Sequence, residues 1–235
     1  MVAVLSDIHN NLHALNAVLA DIPKVSAIWV LGDTVGGACP YPCQVLDRLM
    51  GLDVPVKAIL GNWERWAMDA RHNIDPAWRA DGTKLAAGVW SFEQLKPRHW
   101  DFLSQLGTTM EMENTLLFHG TPTKIAQQIW NYDDAKAVAE KHDKKWLLGG
   151  HTHHAQYYKL GNQRVVGVGS VGLAADGIAG TACYVLLDDD RVTFRHVEYD
   201  MEKAVAEIRD SEVYALAKGF AEDCIYVMRN GRYEK

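Results

Sequence analysis

Cysteine is scarce in this chain: four residues in 235, at positions 39, 43, 183 and 224. Four are too few for the disulfide framework of a small secreted fold. The Cys-x-x-x-Cys spacing of Cys39 and Cys43 matches neither a redox Cys-x-x-Cys pair nor half of a zinc site. Reduced thiols in a cytoplasmic protein are therefore expected. Long apolar runs are missing too. The N-terminal Met-Val-Ala-Val-Leu passes straight into polar residues, with no basic leader, so neither a signal peptide nor a membrane span is expected. Positive charge is also in deficit, with 24 Lys and Arg against 30 Asp and Glu and a net charge of −6. That balance excludes non-specific binding to nucleic acid or to anionic membranes, both of which reward dense Lys and Arg. An acidic protein that handles phosphate must draw positive charge from elsewhere, and metal ions are the obvious source.

What remains is an ordinary globular composition, 48% hydrophobic and 23% charged, of a length that suits one α/β domain over residues 1–235. The first half alternates apolar runs with helical spacing. Val2–Leu5, Ala27–Leu31 and Val54–Leu60 read as buried strands. Between them lie helical patterns over Asn10–Asp21 and Gln44–Met50, which together predict parallel βαβ units. Residues 63 to 106 are rich in tryptophan and read as helical, with segments at Lys84–Leu95 and His99–Leu106. Short strands are predicted at Thr115–Phe118 and Trp146–Leu148. Four more (Gln156–Leu160, Arg164–Val168, Thr181–Leu187 and Val192–Glu198) read as hairpins forming a second sheet. Helical spacing returns at the end, with Ser211 as an N-cap between two pieces. No repeat or low-complexity linker is present.

Five apolar runs end on donor residues: Asp7 and His9, Asp33, Asn62, His119, and His151 with His153. Open α/β sheets bind their ligands at such strand ends. Singly, most of these residues are as ordinary as a turn or a helix cap. His151-Thr152-His153-His154 is the exception, because three histidines in four residues have no common structural use and imidazole is a frequent metal ligand. Together the set holds two carboxylates, four imidazoles and one amide. A mixed N/O shell of this kind suits Mn, Fe, Co, Ni or Zn better than Ca or Mg. Seven donors exceed the needs of one tetrahedral ion and suit two ions sharing a carboxylate. A G-x-G-x-x-G match at Gly167–Gly172 lacks the helix that a dinucleotide fingerprint requires, so it is read as a turn.

The ordered series Asp7-x-His9, Gly32-Asp33, Gly61-Asn62-x-Glu64, His119-Gly120 and Gly150-His151-Thr152-His153 resembles the calcineurin-like metallophosphoesterase superfamily. The stretch SDIHNNLHALNAVLADI and the segments HGTP and VGVGSVG are similar to its small prokaryotic members. The resemblance implies a four-layer αββα sandwich with a dinuclear site at the strand C-terminal ends. It places one ion on Asp7, His9, Asp33 and His153, and another on Asp33, Asn62, His119 and His151. Manganese is the favoured metal. The nucleophile it implies is a hydroxide bridging the ions, with Asp33, Asn62 and His119 at the catalytic centre. The expected substrate is a small phosphoester or nucleotide, with phosphodiesters or nucleotide and dinucleoside polyphosphates ahead of monoesters.

Two positions depart from the family pattern. Asn10 stands where glycine is usual, and asparagine tolerates the same left-handed backbone. Trp63 stands where many members carry the histidine thought to protonate the leaving group. An indole N–H has no proton to give near neutral pH. His13 and His154 are candidate replacements for that acid. Trp63 itself reads either as packing or as a stacking surface for substrate. Glu64 is expected to orient a ligand or cap a helix, and the segment Gly169-Ser170-Val171-Gly172 either to offer backbone N–H groups near the site or to form a tight turn. The Trp-rich segment is a candidate lid or homo-oligomer interface. The competing function is a catalytically impaired scaffold of the same fold, and retention of all seven donors argues against it.

Overall fold

The computed structural model describes residues 1–71 and 73–234. The chain opens with β1 (Val2–Leu5), α1 (Leu12–Asp21), β2 (Ile28–Val30), α2 (Pro42–Met50) and β3 (Val56–Ala58). β1, β2 and β3 pair in parallel; β1 and β2 are apolar throughout, whereas β3 at the sheet edge carries the exposed Lys57. Asn11 caps α1 by accepting from the Ala14 N–H at 3.0 Å. The Trp-rich stretch forms four helices: α3 (Asn62–Ala70), α4 (Pro76–Ala80), α5 (Lys84–Glu93) and α6 (Pro97–Ser104). Then follow β4 (Thr109–Glu111), β5 (Thr115–Phe118), α7 (Tyr132–Ala139) and β6 (Trp146–Gly149). The remainder comprises β7 (Ala155–Leu160), β8 (Gln163–Val168), β9 (Thr181–Asp188), β10 (Arg191–Glu198), α8 (Met201–Arg209), α9 (Glu212–Leu216) and α10 (Lys218–Asn230). Ser211 is the N-cap of α9, accepting from the Tyr214 N–H.

Two five-stranded sheets result, in the orders β10-β9-β1-β2-β3 and β4-β5-β6-β8-β7. The hairpin strands therefore do not make a second sheet of their own. β9–β10 joins the first sheet through antiparallel pairing with β1, and β7–β8 joins the second through parallel pairing with β6. The reason is burial: β9 is covered along most of its length and so needs a neighbour on each edge. Its period-2 pattern shows that a strand exists without showing which edge it joins. β4 and α7 are not among the expected elements, although Asn131 and the acidic first turn mark the start of α7.

Alternation along each strand sorts the layers. Ala3 and Leu5 face the helices α1 and α2, whereas Val4 faces the other sheet together with Leu31, Ile59, Leu117, Leu148 and Val166. The outer face of the second sheet packs on α7 through Leu116, Phe118, Ala135 and Val138. The C-terminal helices form a separate cluster with Ala86 and Ala87 of α5. The architecture is thus two sheets flanked by helices.

The first sheet is pinned where β2 and β3 end. Gly32 has φ +89°, and a Cβ on it would lie 2.3 Å from the Gly61 backbone nitrogen. No side chain fits there. Gly32→Ala should therefore cost about 3 kcal/mol or more, from backbone strain plus displacement of Gly61. Gly161 shares a positive φ, +59°, but faces open space. Gly161→Ala should cost only ~1 kcal/mol. Urea unfolding of both variants checks the account, and equal losses would refute it.

Candidate metal centre

The strand ends place their donors through unusual backbone. Asp7, His9, Asn10, Asp33, His151 and His153 are the non-glycine residues with positive φ among those described, between 47° and 67°. Left-handed backbone is costly for side-chain-bearing residues and clusters where function over-determines it. The turns after β1 and β2 hold each other: Asp7 N–H donates to the Gly32 carbonyl at 3.0 Å and His9 N–H to the Asp33 carbonyl at 3.0 Å. Asn10 adopts the left-handed turn expected of it and donates to Ser91 Oγ at 2.9 Å.

Both carboxylates are used in the same way. Asp7 Oδ2 accepts the His151 N–H at 2.9 Å, and Asp33 Oδ1 accepts the Trp63 N–H at 2.9 Å. The second oxygen of each faces the site. Asp7 Oδ1 is fully buried without a hydrogen-bond partner. It lies 3.2 Å from His153 Nε2, 3.7 Å from His9 Nε2 and 3.8 Å from His119 Nε2. Asp33 Oδ2 lies 3.2 Å from His119 Nε2 and 3.9 Å from His9 Nε2.

The imidazoles are oriented from behind. His9 Nδ1 donates to the Gly36 carbonyl at 2.6 Å, and His119 Nδ1 to the Leu31 carbonyl at 2.7 Å. His153 Nδ1 donates to the Leu173 carbonyl at 3.1 Å, and His151 Nε2 to the Ala126 carbonyl at 3.1 Å. A carbonyl accepts only a proton, so each ring turns the lone pair of its other nitrogen inward. The inward nitrogens of His9 and His153 stand 3.1 Å apart. Two lone pairs so close, beside an unpartnered carboxylate oxygen, demand a cation or a proton between them. The Asn62 amide completes the other group, 3.0 Å from His119 Nε2, 2.8 Å from His151 Nδ1 and 3.2 Å from Asp33 Oδ2. With its oxygen inward, it adds a fourth acceptor around one point; with its NH2 inward, it donates to all three.

Two triads thus form, Asp7–His9–His153 and Asp33–His119–His151, each within the span of one ion's ligands. Each triad draws on both sheets. Burial alone would raise the Asp7 and Asp33 carboxyls, but the facing imidazoles hold both below their usual range, Asp7 well below. His119 shows the converse. Burial alone would lower it, but the charges of Asp33 and Asp7 raise it to about 10. Protons stand here for the positive charge that the two carboxylates require. Oxygen and imidazole donors, fixed tautomers and an orphaned buried oxygen all fit divalent transition metals.

Glu64 is buried and fastens the turn beneath Asp33. Its Oε2 accepts from the Asp33 and Gly61 N–H groups at 2.9 and 2.8 Å, and its Oε1 from Val35 N–H at 2.9 Å. Burial and the neighbouring Asp33 charge push its carboxyl up to about 7. Ser170 is also buried, donating to the Asp7 carbonyl at 2.7 Å. The Val171 and Gly172 N–H groups are spent on the Ser6 and Asp7 carbonyls, so these two donors hold the turn after β1 and are not available to a substrate.

The two expected replacement acids sit elsewhere. His13 bonds Glu207 on α8 at 2.6 Å and packs edge-on to Tyr41. His154 Nδ1 bonds the Thr152 carbonyl at 2.6 Å, with its ring against Trp130. Neither lines the cavity of about 600 Å³ above the donors. Trp63 does line it, packed edge-on to Trp66 with centroids 6.0 Å apart. The remaining aromatics of the Trp-rich segment stack within the chain, Trp66 on Trp78 and Phe92, and Phe92 on Trp100. Residues from the C-terminal end reach the site without any sequence signal for it. Tyr233, just past α10, brings its hydroxyl to 2.6 Å from His153 Nδ1. It lies beyond every motif, and no local pattern marks it.

A sandwich of two sheets with two imidazole–carboxylate groups across their strand ends defines a metallophosphoesterase framework. The model of the calcineurin-like phosphoesterase superfamily domain matches residues 1–191, and the chain belongs to that superfamily. It is similar to the uncharacterized protein MJ0912 of Methanocaldococcus jannaschii, 29% identical across 88% of this chain and 91% of that one. The crystal structure of a metallophosphoesterase from Sphaerobacter thermophilus is 28% identical, with a TM-score of 0.82 over 98% of this chain and 99% of that one. The hypothetical protein PH1004 of Pyrococcus horikoshii shares the fold at 23% identity, with a TM-score of 0.84 over 100% of both chains.

Replacing Glu64 by Gln keeps its shape but turns an NH2 toward N–H donors. Glu64→Gln should cost roughly 1–3 kcal/mol in chemical unfolding; an unchanged midpoint would show that the three bonds do not hold the turn. A second expectation concerns pH. His119 is raised in the folded chain, so its protonation stabilises the metal-free fold below about 6.5 and that contribution fades as pH rises toward about 10. Bound ions would supply the same charge without the proton. The thermal stabilisation given by Mn²⁺ over chelated protein should grow from pH 6 to pH 8 (roughly one unit on each side of neutrality). A gain that shrinks over that interval would contradict this electrostatic picture.

Proposed function

We propose that the protein is a dinuclear metal-dependent phosphoester hydrolase that acts on phosphodiesters or on nucleotide and dinucleoside-polyphosphate substrates. The observation that supports this most directly is the pair of triads with a buried, unpartnered Asp7 oxygen between their inward-facing nitrogens. Asp7, His9, Asp33 and His153 would hold one ion, and Asp33, Asn62, His119 and His151 the other. Manganese suits the mixed N/O donors. Bound ions would activate water at neutral pH and neutralise the oxygens of the phosphoryl group.

The chain's own residues set the geometry. Four backbone carbonyls fix the imidazole tautomers, Glu64 fixes the Asp33 turn, and the His151 and Trp63 N–H groups each fix one carboxylate oxygen. Trp63 cannot protonate a leaving group. His13 and His154 face other partners. The site therefore favours leaving groups that depart with little help, which nucleotide and anhydride groups do better than simple alkoxides. The four cysteines are unpaired thiols, and a reducing compartment such as the cytoplasm suits them. No described helix is long and apolar enough to cross a membrane.

Protein supplied with Mn²⁺ should hydrolyse bis(p-nitrophenyl) phosphate and carry two ions per chain by elemental analysis. Asp33→Asn should lower kcat by at least ~100-fold, because one carboxylate would serve both ions. A wild-type chain that binds two ions yet leaves the diester untouched, just as Asp33→Asn does, would sink the reading in favour of a scaffold.

A further inference from the structure

We propose that the cavity above the metal-ligand residues is a binding site for the aromatic part of the substrate, a nucleobase or aryl ring, which makes nucleotide-type esters its substrate class. The inference rests on the phosphoesterase reading above. It starts from size. At about 600 Å³ the cavity is far larger than a phosphoryl group requires and falls within the roughly 300–1,000 Å³ of small-molecule sites. Its floor is the donor set, through His9, Asp33, Asn62, His151 and His153. Its walls are apolar and aromatic, from Trp63, Trp66, Leu85, Phe220, Tyr226 and Val227.

Trp63 is held in place by deliberate-looking vacancies in its neighbours. A Cβ on Gly36 would meet Trp63 Cγ at 2.7 Å, and one on Gly88 would meet its Cζ3 at 2.4 Å. Phe220 packs at a centroid distance of 6.4 Å and Trp66 at 6.0 Å. An indole so confined has little rotamer freedom left to lose when a second ring lies against it. This reconciles its two readings: the packing fixes the ring, and the fixed ring serves the cavity.

Charge points the same way. Lys84 is the one lysine or arginine lining the cavity among the described residues, while Asp223 and Glu234 also line it. With one cation beside two carboxylates, these walls offer a second anionic group little beyond Lys84. They suit a flat, uncharged ring, with the two carboxylates able to accept from ring N–H groups. The far wall from Phe220 onward lies outside residues 1–191, the part matched by the superfamily model. The phosphate end thus lies wholly within the matched part, and the ring end combines Trp63, Trp66 and Leu85 from that part with α10 beyond it.

The test separates ring from phosphate. Full-length Mn²⁺-loaded protein is titrated by calorimetry with AMP and with ribose 5-phosphate, which share the sugar phosphate and carry at the anomeric carbon the base and a hydroxyl respectively. AMP should bind roughly tenfold to a hundredfold more tightly. Trp63→Leu and Phe220→Leu should each narrow that ratio. Equal affinities, in protein that holds two ions and cleaves bis(p-nitrophenyl) phosphate, would overturn this inference and leave the phosphoesterase reading standing. A ratio that persists in both variants would likewise overturn it, since the base would then be read elsewhere. If neither compound binds and no ester is cleaved, the phosphoesterase reading fails and this one with it.

Discussion

Two buried carboxylates set against each other at the ends of β1 and β2 are the constraint to which the rest of the structure answers. Asp7 and Asp33 both sit in left-handed backbone, in turns that exchange hydrogen bonds with one another. Each has one oxygen tied by an N–H and one left facing inward. Buried charge of one sign is tolerable only when positive charge is supplied beside it. Four imidazoles arrive from strand ends on both sheets to provide a place for it. The strained turns, each costing on the order of 1–3 kcal/mol, persist because the packed sheets leave the backbone no alternative.

This arrangement explains the glycines and the buried glutamate around it. Gly32 and Gly61 stand in backbone contact because the β2 and β3 turns must approach closely enough for Asp33 to reach the site. Glu64 gathers three N–H groups from those same turns, and its charge is tolerable there only because those donors converge on it. Ser170 and Gly172 do for Asp7 what Glu64 does for Asp33, holding the turn by its carbonyl. The supports combine main-chain groups with two buried side chains, Glu64 and Ser170.

Much of this was legible in the sequence, for a physical reason. A buried strand is largely apolar, so donors just past its end stand out as a series: Asp7, Asp33, Asn62 and His119 are ordinary singly, and their order together with the His151–His154 cluster made the site legible. The left-handed turn at Asn10 was legible from the resemblance, which places glycine there, and from asparagine's tolerance of that backbone. Sheet membership was not, because period-2 alternation marks a strand but not its neighbour, and the β9–β10 hairpin joined β1 instead of the second sheet. His13 and His154 lie near the motifs along the chain, yet their rings turn toward Glu207 and Thr152. Tyr233 and Phe220 were invisible for the opposite reason. They reach the cavity by the packing of a C-terminal helix, and no local pattern encodes where such a helix docks.

Each triad takes ligands from both sheets, and the partners are far apart along the chain: the His9 and His153 rings that meet are separated by 144 residues. A nascent chain that has exposed only β1 to β3 carries Asp7, His9, Asp33 and Asn62, a loose set of mostly oxygen donors. Neither triad can close until residues 119 to 153 have left the ribosome and the second sheet has docked. Closure of both donor triads is thereby coupled to synthesis of the chain through residue 153, and a shorter copy has neither triad assembled.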